Sequence, residues 1–172
     1  MSDFVDQLRA VAAASLLPAD GELSAPGLAA PVEVLRDRWG VPYLSAASLH
    51  DLWFAQGFVT AGERLFQLDL LLRAASGRLS EVFADRTLPD DRFVRTIGFH
   101  RAGARLAAGW DDMSRTMHAR FREGVAAWIA QTPAPPVEYT LLDLAPDLPD
   151  DAGAWAAAFV FLAWGLSGNW DT

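Results

Sequence analysis

The sequence predicts a mainly helical protein that carries one short β-hairpin. Apolar residues recur at helical spacing over most of the 172 residues. Two extended runs, residues 32–39 and 41–44, flank Gly40, which is typical of a hairpin or a sharply bent strand. A last helical segment, from Asp150 to about Ser167, is apolar on both faces. Because 52% of the residues are hydrophobic, a chain of this length can form a folded core.

Composition excludes several classes of protein. The chain has 22 acidic and 14 basic residues, all of the basic ones Arg, so its net charge of −8 disfavours nucleic-acid partners and a basic membrane-surface helix. It has no Cys, which excludes disulfides, thiolate metal sites and a Cys nucleophile. No apolar run is long enough to span a membrane. Acidic residues stand where a secretory signal needs basic ones, so we expect a cytoplasmic protein, with the periplasm as the alternative.

The amino-terminal part divides into a helix, a connector and the hairpin. Residues 4–16 have helical spacing and stop before Pro18, and residues 19–31 are rich in Gly, Pro and Ala. Pro42 confines the second extended run to a sheet edge or to a strand start. We therefore predict an amino-terminal helix and connector over residues 1–30 and a single domain over residues 31–172.

Helices are predicted for most of the remaining chain. Ser48 and Asp51 form a capping-box pattern at the start of a long helix that runs past Leu72 and ends near Gly77. The predicted order after it is a short turn at 78–83, an exposed loop at 87–91, a helix at 93–106, a helix at 112–129, and a break at Pro133, Pro135 and Pro136.

The last helix is the most informative physical feature. Trp155, Phe159, Leu162 and Leu166 form one apolar stripe, and Val160, Phe161 and Trp164 project from the other side. Each large apolar side chain left in water forfeits roughly 1.5–3 kcal/mol, so the exposure of either face would cost several kcal/mol. The helix therefore predicts a partner chain or a further segment that covers it.

Candidate catalytic residues are few. Residues 165–168 resemble a nucleophile elbow, but position 169 is Asn instead of Gly, which disfavours Ser167 as a nucleophile. His50, His100 and His118 are isolated in sequence and fit surface or capping roles better than catalysis. Glu63 shares a helical face with apolar residues, so we expect it to be buried and paired with an Arg rather than to act as a general acid. We thus predict no catalytic residue and no metal site in this chain.

Five blocks of residues, in order, resemble the alpha subunit of the penicillin acylase family. They are residues 32–43 (VEVLRDRWGVPY), 51–58 (DLWFAQGF), 63–67 (ERLFQ), 77–81 (GRLSE) and 164–171 (WGLSGNWD). The chain departs from the family pattern in two places: Tyr43 stands where His is usual, and Gly62-Glu63 stands where Gln-Asp is usual.

The resemblance implies the alpha-subunit part of a four-layer αββα N-terminal-nucleophile hydrolase fold that a separate beta chain completes. It implies a precursor that cuts itself into two chains, an obligate alpha–beta heterodimer, and a nucleophile, usually Ser, at the start of the beta chain. It further implies hydrolysis of an amide between an acyl group and an amine, in a β-lactam, an N-acyl amino acid or an N-acyl homoserine lactone. A calcium ion, with ligands mainly on the beta chain, often bridges the two chains of such enzymes.

The resemblance also points to substrate-binding residues. In the family, two apolar residues four apart on the late alpha-chain helix line the acyl site, and the nearest match here is Leu166 and Trp170. Positions four apart differ by about 40° around a helix, so both would face one volume if the helix continues past Gly168. The alternatives are that Leu166 is core and Trp170 an interface anchor, or that the whole chain is a non-catalytic helical interaction subunit.

Overall fold

The computed structural model describes residues 2–168 of the chain. The helices and strands, in chain order, are α1 (Ser2–Ala14), β1 (Glu33–Arg36), β2 (Pro42–Ser45), α2 (Leu49–Ser76), α3 (Ser80–Phe83), a 3₁₀ turn (Ala84–Thr87), α4 (Leu88–Ile97), α5 (Phe99–Ala108), α6 (Asp112–Gln131), α7 (Val137–Leu142) and α8 (Ala152–Ser167). The predicted mainly helical architecture with one hairpin is therefore confirmed. None of these helices is long and apolar enough to cross a membrane.

The hairpin forms as the sequence predicts. β1 and β2 are antiparallel, with Val34 opposite Leu44 and Leu35 opposite Tyr43. Gly40 adopts φ +79°, a conformation that glycine tolerates, and its amide donates to the Asp37 carbonyl to close the turn (3.0 Å). Residues 33–36 and 42–45 are the only strands in the described part of the chain.

Helix α2 begins directly after Ser48, whose hydroxyl caps its first turn. The Asp51 amide donates to the Ser48 hydroxyl (3.1 Å), and this hydroxyl donates to the Asp51 carboxylate (2.9 Å). The other carboxylate oxygen of Asp51 accepts from the amide of Ala29 (2.9 Å), which fastens the connector to the start of the helix. These amide and hydroxyl donors hold the pKa of Asp51 below its usual value. Near its middle, α2 has one non-helical residue, Arg64 (φ −140°, ψ 27°).

The described residues form two compact units, and the first comprises residues 2–65 and 113–145. In it, α2 and α6 meet backbone to backbone, because a Cβ atom at Gly124 would lie 1.9 Å from the Phe54 carbonyl oxygen. Phe58 packs edge-on against Trp128, with ring centroids 5.3 Å apart. Tyr139 of α7 is 1% exposed and completes this core.

The second unit comprises residues 66–112 and 146–168. Its core forms where α5 contacts α8. A Cβ atom at Gly103 of α5 would lie 2.4 Å from the amide nitrogen of Ala157 and from the carbonyl oxygen of Gly153, so only glycine permits this approach of the two backbones. The small residues of α8 at this contact, Ala156 and Ala157, are fully buried.

Two sequence predictions were wrong, and one helix was not predicted. The predicted exposed loop at 87–91 is the end of the 3₁₀ turn and the start of α4. The predicted single helix at 93–106 is two helices, because Gly98 adopts φ +82° and ends α4 with a bond from its amide to the Val94 carbonyl. Helix α7 was not predicted, since the prolines before it indicated only a break; Pro136 is its amino-terminal cap.

Asp91 lies in the segment predicted to be an exposed loop, yet it is 3% exposed. Its carboxylate accepts hydrogen bonds from the amides of Leu79 and Ser80 (both 2.8 Å) and from the Ser80 hydroxyl (2.5 Å). It thereby caps the first turn of α3 from a distance in sequence. Burial raises the pKa of Asp91, but these donors together outweigh burial and leave the pKa below its usual value.

Candidate functional site

The candidate site is the carboxyl-terminal half of α8, and the residues before α8 determine how the helix begins. Asp151 is the amino-terminal cap, because its side chain accepts from the amide of Ala154 (2.8 Å). The indole N–H of Trp155 donates to the Pro149 carbonyl (2.7 Å), which joins the first turn of the helix to the segment before it. Trp155 itself is 7% exposed.

A network of ion pairs anchors the same segment. Arg73, whose side chain is 6% exposed, donates to Asp69 (2.8 Å) and to Glu81 (2.6 Å). Arg78 bridges Glu81 and Asp147, and the hydrogen bond from Arg78 lowers the pKa of Asp147. The same two carboxylates raise the pKa of Arg78 above its usual value. The network therefore fixes the residues just before α8 by charge-assisted bonds.

Aromatic contacts cover one side of α8 beyond Ala158. The ring of Phe161 packs edge-on against Phe99 (centroids 5.4 Å apart), and Trp164 contacts both Phe99 (5.5 Å) and Phe93 (5.8 Å). Trp164 remains 48% exposed. These contacts hold one of the two predicted apolar faces against α4 and α5.

The other predicted face is open to solvent. Phe159 is 51% exposed, Leu162 43% and Leu166 66%, although Trp155 of the same stripe is buried. A Cβ atom at Gly165 would meet no atom within 4 Å. A row of large exposed apolar side chains on one helix is typical of a surface that binds a ligand or another chain.

Of the two residues predicted to bind substrate, Leu166 lies within the described part of the chain. Leu166 lies in the last turn of α8 on the open stripe, where a ligand or a second chain can reach it. Trp170 lies outside the described residues. Their grouping into one acyl-binding volume therefore stays a prediction.

The other side chains considered as catalytic candidates are Ser167 and the three histidines. The Ser167 hydroxyl donates to the Trp164 carbonyl (2.8 Å), as helical serines commonly do. His50 stacks on Trp53, with ring centroids 6.2 Å apart. Burial, helped by the nearby Arg122, lowers the pKa of His118 and so favours its neutral form. His100 is exposed on α5.

Glu63 is paired with an Arg as predicted, but it is not buried. Its carboxylate accepts from Arg36 of β1, and the Glu63 side chain is 28% exposed, so the expected burial was wrong. The pair joins the hairpin to α2, and water reaches both side chains. An ion pair in such a position stabilises a protein by less than about 1 kcal/mol, well below the value for a buried pair.

Metal ligands are not assembled by this part of the chain. Among residues 2–168, no three His, Asp or Glu side chains lie close enough together to hold a metal ion. The residues described here do not by themselves fit a calcium site, because calcium takes six to eight oxygen ligands.

Comparison with known proteins places these features in a family. The penicillin amidase family matches residues 31–172. The chain is 38% identical over 134 residues to penicillin acylase 2 proenzyme of Pseudomonas sp. strain SE83, a match that covers 78% of this chain and 17% of the relative. It is 32% identical over 166 residues to the acyl-homoserine lactone acylase QuiP of Pseudomonas aeruginosa, covering 90% of this chain and 18% of the relative.

The fold agrees with a solved structure of the same family. The chain resembles a thermostable penicillin G acylase from Alcaligenes faecalis with a TM-score of 0.65 and 27% identity, over 76% of this chain and 70% of that one. This likeness confirms the predicted fold class, the alpha-subunit part of an N-terminal-nucleophile hydrolase. The chain spans less than a fifth of the two relatives named above. On these matches, the chain belongs to the penicillin amidase family.

Proposed function

We propose that this chain is the alpha subunit of a penicillin-acylase-type amide hydrolase whose nucleophile lies on a beta chain from the same precursor. The observation that supports this most directly is the open apolar stripe of α8, formed by Phe159, Leu162 and Leu166, in a chain that matches the family over residues 31–172. Exposure of these side chains to water is unfavourable, whereas their burial against a second chain or an acyl group is favourable.

In the proposed enzyme, the alpha chain supplies packing and one wall of the acyl site. The beta chain supplies the nucleophilic hydroxyl, usually of Ser, and the free α-amine of that residue as the base. An α-amine has a pKa near 7.7–8.0 in general and is tethered next to its own hydroxyl, so a large fraction is ready to accept the proton near neutral pH. The hydroxyl attacks the amide carbon, the amine product leaves, and water then releases the acid.

The substrate is an acyl group joined to an amine, and the relatives indicate the range of acyl and amine parts. Their names identify a penicillin acylase and acyl-homoserine lactone acylases. The large exposed side chains of α8, Phe159, Leu162, Trp164 and Leu166, are all apolar, which supports an aromatic or aliphatic acyl group rather than a charged one.

The test is to co-express the alpha chain with the sequence that follows it in the gene and to assay a panel of N-acyl substrates from phenylacetyl to long fatty acyl. We expect two chains to co-purify and to release free amine, and we expect replacement of the first beta-chain residue by Ala to abolish turnover. Trp170→Ala should admit bulkier acyl groups and lower kcat/KM for the preferred small one by roughly 10-fold.

Two results would contradict the proposal. A gene that ends after this chain, together with a soluble monomer that unfolds cooperatively, would favour the non-catalytic interaction subunit instead. A two-chain protein that hydrolyses no N-acyl substrate would exclude the proposed activity while leaving the assembly intact.

A further inference from the structure

Aromatic rings hold the carboxyl-terminal half of α8 against the rest of the second unit. Residues 155–158 are buried, whereas none of residues 159–168 is. At about 1.5 Å per residue, this exposed part extends roughly 15 Å beyond the last buried residue. Phe161 and Trp164 project from it, and their rings contact residues of α4 and α5. The position of the helix end therefore depends on a few ring contacts.

Phe99 supports both of these rings. It is the first residue of α5 and is 2% exposed. It follows Gly98, whose left-handed conformation (φ +82°) ends α4 and turns the chain into α5. A buried ring next to such a turn has little room to move, because protein interiors are close-packed. Phe99 is therefore a firm support for Phe161 and Trp164, which both meet it edge-on.

Trp164 is the last residue of α8 that contacts another ring in the described part of the chain. Beyond it, a Cβ atom at Gly165 would meet no atom within 4 Å, so this position adds no packing. Gly165 and Gly168 also lower the helix propensity of the final turn. A turn of this composition keeps its place only if the residues before it are held. Trp164 is held by two rings, Phe99 and Phe93 of α4.

Leu166 lies on the opposite side of the helix from Trp164. Positions two apart differ by about 200° around a helix, so Leu166 faces away from α4 and α5 when Trp164 faces toward them. Leu166 is accordingly the more exposed of the two, at 66% against 48%. A shift of the helix end toward α4 and α5 would draw Leu166 back from the open side by the same distance. The size of the side chain at position 164 thus sets how far Leu166 extends.

We propose that Trp164 is a positioning residue whose indole, supported by the rings of α4 and α5, sets the depth of the acyl site by fixing the position of Leu166. The proposal rests on the proposed function, because it requires that Leu166 contact the acyl group. Trp164 and Phe93 act through the last turn of α8 and touch neither the acyl group nor the nucleophile. With a smaller side chain at position 164, the helix end settles toward α5, Leu166 withdraws, and longer acyl groups fit.

Two substitutions at position 164 of the co-expressed two-chain enzyme test the proposal. The readout is the ratio of kcat/KM for an octanoyl amide to that for a butanoyl amide of the same amine. Trp164→Leu should raise this ratio by roughly 10-fold, a typical effect of a small change in an apolar pocket. Trp164→Phe keeps a ring against Phe99 and should shift the ratio by less than about 3-fold. The kcat for the preferred substrate of each variant should stay within about 3-fold of wild type, because the proposed nucleophile and base lie on the beta chain.

Phe161→Leu is the matched control on the same helix. It removes a ring from the same support, Phe99, but leaves the contacts of Trp164 in place. We expect the acyl ratio to change by less than about 2-fold, since the last turn of α8 is still held. An equal shift for Phe161→Leu and Trp164→Leu would show that any loosening of α8 alters the choice of acyl group, and it would overturn the role given to Trp164.

Phe93 allows a test from outside α8. Phe93 lies on α4, with its ring centroid 5.8 Å from that of Trp164. Phe93→Leu should raise the acyl ratio by roughly 3-fold, and adding it to Trp164→Leu should change the ratio by less than about 1.5-fold more, because both substitutions remove the same contact. Effects of the two substitutions that multiply fully would show that the side chains act separately and would contradict the shared support.

Amide hydrogen exchange supplies a measurement that does not depend on turnover. In the two-chain protein, Trp164→Leu should speed the exchange of amides 164–167 by roughly 10-fold and leave amides 156–158 within about 3-fold of wild type. An equal increase at 156–158 would show that Trp164 only stabilises the helix as a whole, which would overturn the proposal. An unchanged acyl ratio for Trp164→Leu in an active enzyme would also overturn it and leave the proposed function standing. A wild-type two-chain protein that hydrolyses no N-acyl substrate would overturn both.

Discussion

The two halves of α8 are both apolar, but they have opposite surroundings. Residues 155–158 are all buried, whereas Phe159, Leu162, Trp164 and Leu166 are each more than 40% exposed. The first half contacts α5 through glycine and alanine, so the helix backbones touch. The second half carries large apolar side chains with one open side. The comparison teaches that hydrophobic spacing predicts which residues need cover but does not say which chain provides it.

We expect the largest effect from a substitution that disrupts the contact between α5 and the first half of α8. Gly103→Ala places a Cβ atom 2.4 Å from backbone atoms of α8 that cannot move aside singly, so we expect the free energy of unfolding to fall by about 3 kcal/mol or more. Urea denaturation of the two-chain enzyme measures the change. The matched control is Gly165→Ala in the second half, where the Cβ atom meets nothing and the better helix propensity of Ala should stabilise by up to about 1 kcal/mol. Equal effects of the two substitutions would contradict the comparison.

The amino-terminal cap should have the next largest effect. Asp151→Ala removes the acceptor for the Ala154 amide and should lower the free energy of unfolding by about 1 kcal/mol. Ser167→Ala at the other end removes only a bond from a hydroxyl to a carbonyl of the same helix, so we expect a change within about 0.5 kcal/mol. Thermal unfolding followed by circular dichroism distinguishes the two variants, and a larger loss for Ser167→Ala would refute this ranking.

A fall in pH should lower the free energy of unfolding by a smaller amount, through the ion pair of Asp147 in the segment before α8. Arg78 lowers the pKa of Asp147, so the ionised carboxylate contributes stability that is present above the unfolded pKa, near 3.9, and is lost as the pH falls through the lower folded value. The Asp147 side chain is 59% exposed, so we expect this contribution to be below about 1 kcal/mol. Asp147→Asn should reduce the loss of stability between about pH 5 and pH 2 relative to wild type. An unchanged pH profile for this variant would show that the pair adds no stability.

The smallest effect on folding is expected in the second half. Leu166 is 66% exposed, so Leu166→Ala removes few contacts within this chain and should leave the helix content of the co-expressed protein unchanged in far-ultraviolet circular dichroism. In the proposed two-chain enzyme the same substitution should change KM or the choice among acyl groups, because the proposal gives this side chain neighbours there. Ala108→Ser, at an exposed position on α5, is the control that should alter neither property.

Much of this architecture could be predicted from the sequence. The helix cap at Ser48 and Asp51, the glycine at position 40 and Pro42 at a strand start are local signals, and each acts through groups a few residues away. The family resemblance, carried by five short blocks, is supported by the match over residues 31–172.

The predictions that failed depend on contacts distant in sequence or on a choice of backbone conformation. Gly98 is compatible with a helix and with a left-handed cap, and spacing alone does not choose between them. Asp91 accepts from amides eleven and twelve residues earlier, which no local pattern reveals. Glu63 lies on an apolar helical face, but its partner Arg36 is on the hairpin, where water reaches both.

A single thiol at position 166 tests most directly that the open stripe of α8 is covered in the assembled enzyme. The chain has no Cys, so Leu166→Cys creates a unique reactive site in it, and Ala108→Cys serves as the exposed control. Thiol labelling of this chain in the two-chain enzyme is compared with labelling in the urea-unfolded chain. We predict that position 166 reacts roughly 10-fold or more slowly in the folded enzyme, while position 108 reacts at nearly the unfolded rate. Equal and fast labelling at both positions in an active two-chain enzyme would contradict the account.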